Sequence, residues 1–553
     1  MLEISQIPVT LDNGATEEGC LDACRQAARR VLGCKPSDIA HIELHRKSVD
    51  ARKKRDVHFV LSARLRLRSE QAERTALARV PSRDAAHVRP VDDEPTSFPA
   101  PLHASLRPAK RPVVVGAGCA GLFCALTLAE AGLAPLLIER GDDAATRTET
   151  IERFCRTRIL DPESNIQFGL GGAGTFSDGK LNTGTKNPAH RLILKTMVDA
   201  GAPRDILWDA KPHVGSDILP TVVTHIVRRI EQLGGEVRFG CKLVDIERSD
   251  QGSPVAIHVE RRSQGAHASS ERIPVTHLVL ACGHSARDVF RLLCDRGFSV
   301  ERKTFAMGVR IEHLQADIDR AQYGSAAGHP ALGAAPYKLV THLPNGRNVF
   351  TFCMCPGGEV VAAASEEGGV VVNGASLYAR AGRNANAALL VNVNPDDLLG
   401  ADPLAGIDLQ RRCEQRAFEL GGGNYRAPAQ LVGDFLSGRP STAGGRIEPT
   451  YPLGVTWTAL DQALPSHIIE TLRAGIPALG RKLRGYDDPE AVLTGVESRS
   501  SSPVTVVRDR SCTALGAPGL FPCGEGAGYA GGIMSAATDG IRCAQALIDS
   551  LSS

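Results

Sequence analysis

The stretch from Val113 to Arg140, VVVGAGCAGLFCALTLAEAGLAPLLIER, constrains the fold more than any other part of the chain. Val113–Val115 is a short β-branched run suited to a buried parallel strand. Gly116, Gly118 and Gly121 follow in GxGxxG spacing. The first glycine permits a tight turn, the second lets the backbone approach a pyrophosphate, and the third lets the next helix pack on the strand. A helix over Leu122–Ala131 would aim its free N–H groups and positive dipole end at the phosphates. A second apolar strand, Pro135–Ile138, ends at Glu139, 23 positions after Gly116. A carboxylate there accepts hydrogen bonds from a ribose diol. Strand, turn, helix, strand and terminal acid together predict a dinucleotide site, with Ala117, Ala120 and Arg140 as further contacts.

A membrane span is the competing reading, because Glu130 is the only charge between Val113 and Ile138 and a span needs about 20 apolar residues. Clustered glycines, Gly132 and Pro135 would break that helix repeatedly, whereas a buried βαβ unit accounts for each break. Two other segments share the glycine spacing. Gly169, Gly171 and Gly174 follow Asn165-Ile166-Gln167-Phe168, a poor central strand, and Gly526, Gly528 and Gly531 surround Tyr529. Gly174 to Lys180 nearly matches a Walker phosphate loop, but Leu181 stands where the Mg²⁺-binding Ser or Thr belongs. ATPase chemistry is therefore not expected.

With 553 residues, 42% hydrophobic and 23% charged, the chain has length for two or three globular domains. Its net charge of +2 gives no general push toward nucleic acid or membrane. Aromatics at 4% argue against a stacking surface for single strands. The N-terminus reads as neither a signal nor a transit peptide. Fifteen cysteines in a long chain point to reduced thiols and a cytoplasmic location. Cys119 and Cys124 have the spacing of a disulfide-reductase pair but read as packing residues of the phosphate turn and helix. Cys353 and Cys355 share a strand face. With no His or further Cys nearby they make no metal site, and none is expected elsewhere.

Residues 1–80 read as a small α/β unit: a strand Glu3–Leu11, an amphipathic helix Glu17–Leu32, and strands Ile39–His45 and Val57–Leu67. The basic run Lys47–Arg55 between those strands reads as a solvated connection, or as an anion- or partner-docking loop. A proline-punctuated connection fills 81–111. The nucleotide fold takes 112–303, with a helix Thr221–Leu233, a β segment Glu236–Glu247 carrying Leu243, and a strand His277–Cys282 entering Gly283. Short strands and glycine turns over 304–495 predict a mixed-sheet substrate domain. The nucleotide fold resumes over 496–553, where Leu520–Cys523 enters Gly524-Glu525-Gly526 and a helix over Ser535–Ile548 follows. The expected class is α/β: a Rossmann-type domain, an inserted mixed-sheet domain and a small N-terminal α/β domain.

This order resembles FAD-binding proteins of the glutathione-reductase type. GGAGTFSDGKL (Gly171–Leu181), GHSARD (Gly283–Asp288), GVRIEH (Gly308–His313), FCMCPGG (Phe352–Gly358), GVESRSSSP (Gly495–Pro503) and FPCGEGAGYAGGIMSAATDG (Phe521–Gly540) narrow it. Together they resemble a bacterial family of uncharacterised FAD-dependent dehydrogenases, from about residue 35 onward. The resemblance implies FAD as cofactor, with Glu139 on the adenosine ribose and Glu525 near the ribityl–pyrophosphate region. Gly531, Gly532 and the start of the last helix at Ile533 would approach the flavin ring. Gly172, Gly174, Leu243, Gly283 and Gly524 complete the implied contacts.

In flavoenzymes the protein supplies position, charge and exclusion of water. Ser177, Asp178 and Lys180 are candidate ring contacts. Arg310 and Glu312 share a strand face and would present an Arg–carboxylate pair to a substrate acid, or else build an internal ion pair. Glu497 and Arg499 repeat that arrangement just before the last FAD element and are expected beside the flavin. His284 reads as a structural or phosphate-side histidine. FCMCPGG offers no adjacent base or cation, so its two thiols are not expected to turn over as a disulfide.

The leading expectation is an FAD-dependent oxidoreductase acting on a small molecule. The alternatives are an FAD-dependent monooxygenase with NAD(P)H as transient donor, and a flavin-binding redox sensor docking an anionic partner through the basic N-terminal unit. A chain starting near Ser105 is expected to fold and keep FAD.

Overall fold

A computed structural model of the protein describes residues 1–92, 97–99, 102–103, 108–262 and 269–552. Five parallel strands form the nucleotide-binding sheet, in the order Leu520–Pro522, Leu278–Leu280, Val113–Val115, Leu136–Ile138 and Glu236–Arg238. The four strands other than Glu236–Arg238 are buried throughout, as a parallel sheet covered on both faces requires. Helix Cys119–Glu130 follows the first strand and packs against the last helix, Ile533–Ser552. Their approach is close: a Cβ on Gly540 would lie 2.2 Å from the Ala120 carbonyl oxygen.

The segment read as one β unit over Glu236–Glu247 is two strands. Gly240, at φ +60°, turns the chain. Cys241–Arg248 then leaves the parallel sheet for an antiparallel meander with Pro254–Arg261 and Ser269–Pro274.

The inserted sheet has seven strands, in the order Val340–His342, Asn348–Cys355, Asn384–Val393, Phe305–Leu314, Val492–Glu497, Ala427–Leu431 and Val455–Trp457. It is mixed, since the last two strands pair in parallel and the others antiparallel. Phe305–Leu314 and Val492–Glu497 lie at its centre and are buried almost end to end.

At the N-terminus, helix Glu17–Leu32 covers a four-stranded sheet ordered Ile39–Asp50, His58–Leu67, Leu2–Val9 and Val88–Pro90. The boundary expected at residue 80 therefore moves: Val88–Pro90, placed in the 81–111 connection, pairs with Leu2–Ile4. Part of that connection, including Ser105, lies outside the described residues, as does the 263–268 connection of the meander. The basic run is part strand and part connection: Lys47–Asp50 end the strand Ile39–Asp50, and Ala51–Arg55 form the turn that follows. Lys47 exchanges backbone hydrogen bonds with the nucleotide domain, donating to the Trp208 carbonyl at 2.7 Å and accepting from Ala210 at 2.8 Å. Lys54 donates to the Gln322 carbonyl of the inserted domain. The N-terminal unit is thus tied to both of the others.

Candidate functional site

Gly116 leaves the first strand with φ +101°, and its amide donates to the Ile138 carbonyl at 2.8 Å. Gly118 caps helix Cys119–Glu130 without any side-chain cap bond, so the first-turn N–H groups stay available for an anion. The Gly118 position faces open space: a Cβ there would meet only Gly172 Cα, at 3.9 Å. Gly121 is different. A Cβ on it would lie 1.8 Å from the Gly116 carbonyl oxygen, so this glycine permits the turn itself rather than the ligand.

Glu139 stitches the turn to its surroundings. Its carboxylate accepts from the amides of Ala117 (2.7 Å), Gly141 (3.0 Å) and Gly169 (2.9 Å). Beside it, Arg140 pairs with Glu163 at 3.3 Å and with Asp288, and stacks over the Phe168 ring. Sequence reasoning missed Arg147. This fully buried guanidinium donates to the carbonyls of Asn165, Leu170, Ile166 and Gly172 at 2.7–2.9 Å. It shapes the Gly169–Gly174 loop, and burial lowers its pKa to about 9. Its position on the buried stripe of helix Ala144–Thr157 with Thr150 and Phe154 was the available signal.

One continuous cavity of about 460 Å³ runs from this turn to the inserted sheet. Gly116, Gly118, Ala120, Glu139, Arg140 and Leu243 line one part of it. Gly172, Gly174, Ser177, Lys180, Gly283, Glu525, Gly531, Gly532 and Ile533 line it as well. Ala117, Gly121 and Gly524 do not line it; they are packed behind the turn and the terminal strand. A Cβ at Gly283, Gly531 or Gly532 would meet nothing within 4 Å, the mark of backbone left open to a ligand. Burial raises the Glu525 carboxyl to about 7, against the nearby Gly532 amide and the Lys303 charge.

Lys180, Glu497 and Arg499 also line the cavity, whereas Arg310 and Glu312 do not. The expected Arg310–Glu312 pair is absent. Arg310 instead holds Glu497 across the neighbouring strand, Nε to Oε2 at 2.7 Å and Nη2 to Oε1 at 3.1 Å. The reason is register: a bulge between Gly308 and Arg310 sets Gly308 opposite Glu497. Glu312 turns to Thr450 and Asn384, accepting at 2.6 and 3.1 Å, and burial raises its pKa. Arg499 pairs with Glu414 at 2.8 Å, and Arg287 grips the same carboxylate at 2.7 Å. Between these guanidiniums, burial first and then Arg499 and Arg287 lower the His284 pKa to about 4. Asp178 is buried between Lys180 at 3.1 Å and Arg380 at 2.6 Å.

The FCMCPGG segment brings a correction. Cys353 lines the cavity, and two cations lie beside it, both from elsewhere in the chain. Lys180 donates to the Met354 carbonyl, and Arg310 donates to the Cys353 carbonyl at 3.2 Å. The absence of an adjacent cation held only for neighbours in sequence. The other thiol cluster is structural. Cys523, Asp539 and Cys543 bring donor atoms within 4.8 Å of one another. The Arg508 guanidinium already occupies that group, pairing with Asp539 at 2.5 Å and lying 3.1 Å from Cys543 Sγ.

A glycine-rich turn at the mouth of a parallel sheet, a helix N-terminus left uncapped and a terminal strand–helix returning to the same cavity define a Rossmann-type dinucleotide-binding flavoprotein. Residues 304–500 match the family described as "FAD-dependent protein, C-terminal domain-like", and residues 114–177 match an NAD(P)-binding Rossmann-like domain. Residues 1–66 match a domain of unknown function. An uncharacterized protein of Clostridium beijerinckii is 42% identical over 552 residues, covering 99% of this chain and 98% of that one. The chain belongs to the family of that protein, a family of FAD-dependent proteins, and FAD is its cofactor.

Among solved structures, the flavin-dependent brominase Bmp2 is 12% identical with a TM-score of 0.35, covering 80% of each chain. A 3-ketosteroid-Δ4-(5α)-dehydrogenase from Rhodococcus jostii RHA1 is 12% identical with a TM-score of 0.33, covering 83% of this chain and 100% of that one. No reaction transfers at these values. Among the described residues, no helix is long and apolar enough to cross a membrane.

Proposed function

We propose that this protein is an FAD-dependent oxidoreductase, a dehydrogenase or reductase that exchanges electrons with a polar small molecule. The observation that carries this reading is the continuity of the cavity, from the Gly116–Gly121 turn to the charged wall of the inserted sheet. Bound FAD supplies the hydride chemistry. The chain binds it through the uncapped N-terminus of helix Cys119–Glu130, the Gly171–Gly174 loop and the open backbone at Gly531–Gly532. Glu139 holds the turn in shape, and its Oε2, which accepts only from the Ala117 amide, keeps one lone pair as an acceptor for a ribose diol. Lys180, held by Asp178, presents a fixed positive charge to the reacting part of the cavity. Arg499, anchored on Glu414, and Glu497, anchored on Arg310, offer a donor and an acceptor to the substrate without rotamer freedom to lose. Fifteen cysteines, none of them in a disulfide, support work in a reducing cytoplasm.

The test is anaerobic: the purified holoprotein is mixed with panels of metabolites and with NAD(P)H as a transient donor, and flavin absorbance is followed. Bleaching by one compound and recovery with a second supports the proposal. Redox-dependent capture of a protein partner without any turnover would replace it with the sensor reading.

A further inference from the structure

Cys353 stands on the cavity wall in a backbone conformation that few residues adopt. Its φ is +42°, in the left-handed region that side-chain-bearing residues rarely occupy. The register of its strand against Asn384–Val393 slips between Phe352 and Cys355. Such bulges re-aim a side chain beside a functional site. Here the slip leaves Cys353 half-buried on the cavity and Cys355 buried behind it. The Cys355 thiol donates to the Cys353 carbonyl at 3.3 Å. Arg310 Nη1 lies 3.9 Å from Cys355 Sγ, and Lys180 hydrogen-bonds the residue between them.

We propose that Cys353 and Cys355 form a redox-active dithiol in the flavin cavity, with Cys353 attacking a disulfide substrate and Cys355 resolving the adduct. This deepens the oxidoreductase reading and rests on it. The Cys353 thiolate attacks one sulfur of R–S–S–R, forms a mixed disulfide and expels R–S⁻. Cys355 loses its proton, attacks the Cys353 sulfur, closes the Cys353–Cys355 disulfide and expels the second R–S⁻. The chain has then given up two electrons. Reduced FAD held in the same cavity would supply the two electrons and the proton that return the disulfide to a Cys353 thiolate and a Cys355 thiol.

The roles follow from access and charge. Lys180, Arg310, Asp178, Glu497, Glu525 and Cys355 face Cys353. The neighbouring Cys355 thiol, followed by the Lys180 and Arg310 charges, holds the Cys353 thiol below its ordinary value, against burial and the Asp178 charge. The neighbouring Cys353 and burial push Cys355 up. A low-pKa attacking sulfur with a protonated resolving partner is the division of labour that thiol–disulfide exchange needs. Cys119 and Cys124 lack it, because burial raises both.

The experiment uses the full-length, FAD-loaded protein and dithiobis-nitrobenzoate as the disulfide probe, with peptide mass mapping. In the wild type, Cys353 should react at about pH 6 at least about tenfold faster than Cys34 and Cys155, two half-buried thiols whose pKa is raised. The product should be an intrachain Cys353–Cys355 disulfide, with two probe thiolates released. Cys355→Ser should stop at a stable adduct on Cys353, and Lys180→Met should slow only the Cys353 reaction. Reactivity of Cys353 no greater than that of Cys34, or a persistent wild-type adduct, overturns the proposal. Flavin reduction by a metabolite in the same sample, with the pair inert, would sink the dithiol and leave the oxidoreductase reading standing.

Discussion

Arg310 and Glu497 form a bidentate ion pair across two adjacent central strands, with both side chains almost wholly buried. The guanidinium also donates to Asn386 at 2.7 Å and to Asn373 at 3.1 Å. One carboxylate that lines the cavity is thus fixed by a cation that does not. Burial raises the Glu497 pKa while Arg310 opposes the rise. The pair joins the core of the inserted domain to the wall of the site.

Removing one partner of such a pair strands a buried charge, at a cost of about 3–5 kcal/mol. Arg310→Met should therefore lower the thermal midpoint strongly, even with FAD supplied in excess. Glu497→Gln keeps the shape and one acceptor and should lower it less. Equal, small effects of the two substitutions would show that the charge is not sealed.

Gly121→Ala should fail before any cofactor question arises. Its methyl group would overlap the Gly116 carbonyl, and the βαβ unit cannot close around it. The expected outcome is loss of soluble, cooperatively unfolding protein. A folded Gly121→Ala variant would mean that helix Cys119–Glu130 can shift.

Glu139→Ala leaves three amides, those of Ala117, Gly141 and Gly169, without their acceptor. An unsatisfied buried donor costs about 1–3 kcal/mol, so the turn should loosen and FAD affinity should fall by at least about tenfold, or 1.4 kcal/mol. Fluorescence titration of flavin-stripped protein measures it. A contact confined to the ribose would change affinity without changing the stability of the stripped protein.

Glu525 makes a pH prediction. Its folded-state pKa of about 7 lies above the ordinary 4.5, with burial as the main cause. The folded state then holds a proton that the unfolded state has released, so flavin-stripped protein loses stability as pH rises from about 4.5 to 7. Comparing Glu525→Gln with the wild type across that window isolates the effect. The variant's stability should fall less, and parallel curves would contradict the assignment.

The parts of the site legible in sequence are those where backbone geometry dictates residue type. Gly116 needs its positive φ, and Gly118 and Gly121 need space, so their spacing is readable without a partner. Helix Glu17–Leu32 was legible for a similar local reason, its buried stripe lying at helical spacing. Pairings made across the fold were not legible. Arg310 and Glu497 are 187 positions apart and meet only through the register of two strands, which a bulge shifts. The Lys180 and Arg310 cations beside Cys353 come from two other segments. The alternation rule placed Arg310 and Glu312 on one face but could not say which carboxylate lay within reach. Val88–Pro90 was missed because three residues, the last of them a proline, carry no strand periodicity.

The most direct test of the cofactor cavity is the flavin content of Gly118→Val beside the wild type. In the cofactor-free fold the new side chain projects into open cavity, its first carbon 3.9 Å from the nearest atom, so the protein should fold with unchanged circular dichroism. With the pyrophosphate path filled, it should carry no FAD and take up none on incubation, while the wild type carries one FAD per chain. A folded Gly118→Val protein that still binds stoichiometric FAD would contradict the placement of the cofactor, and with it the account of the cavity.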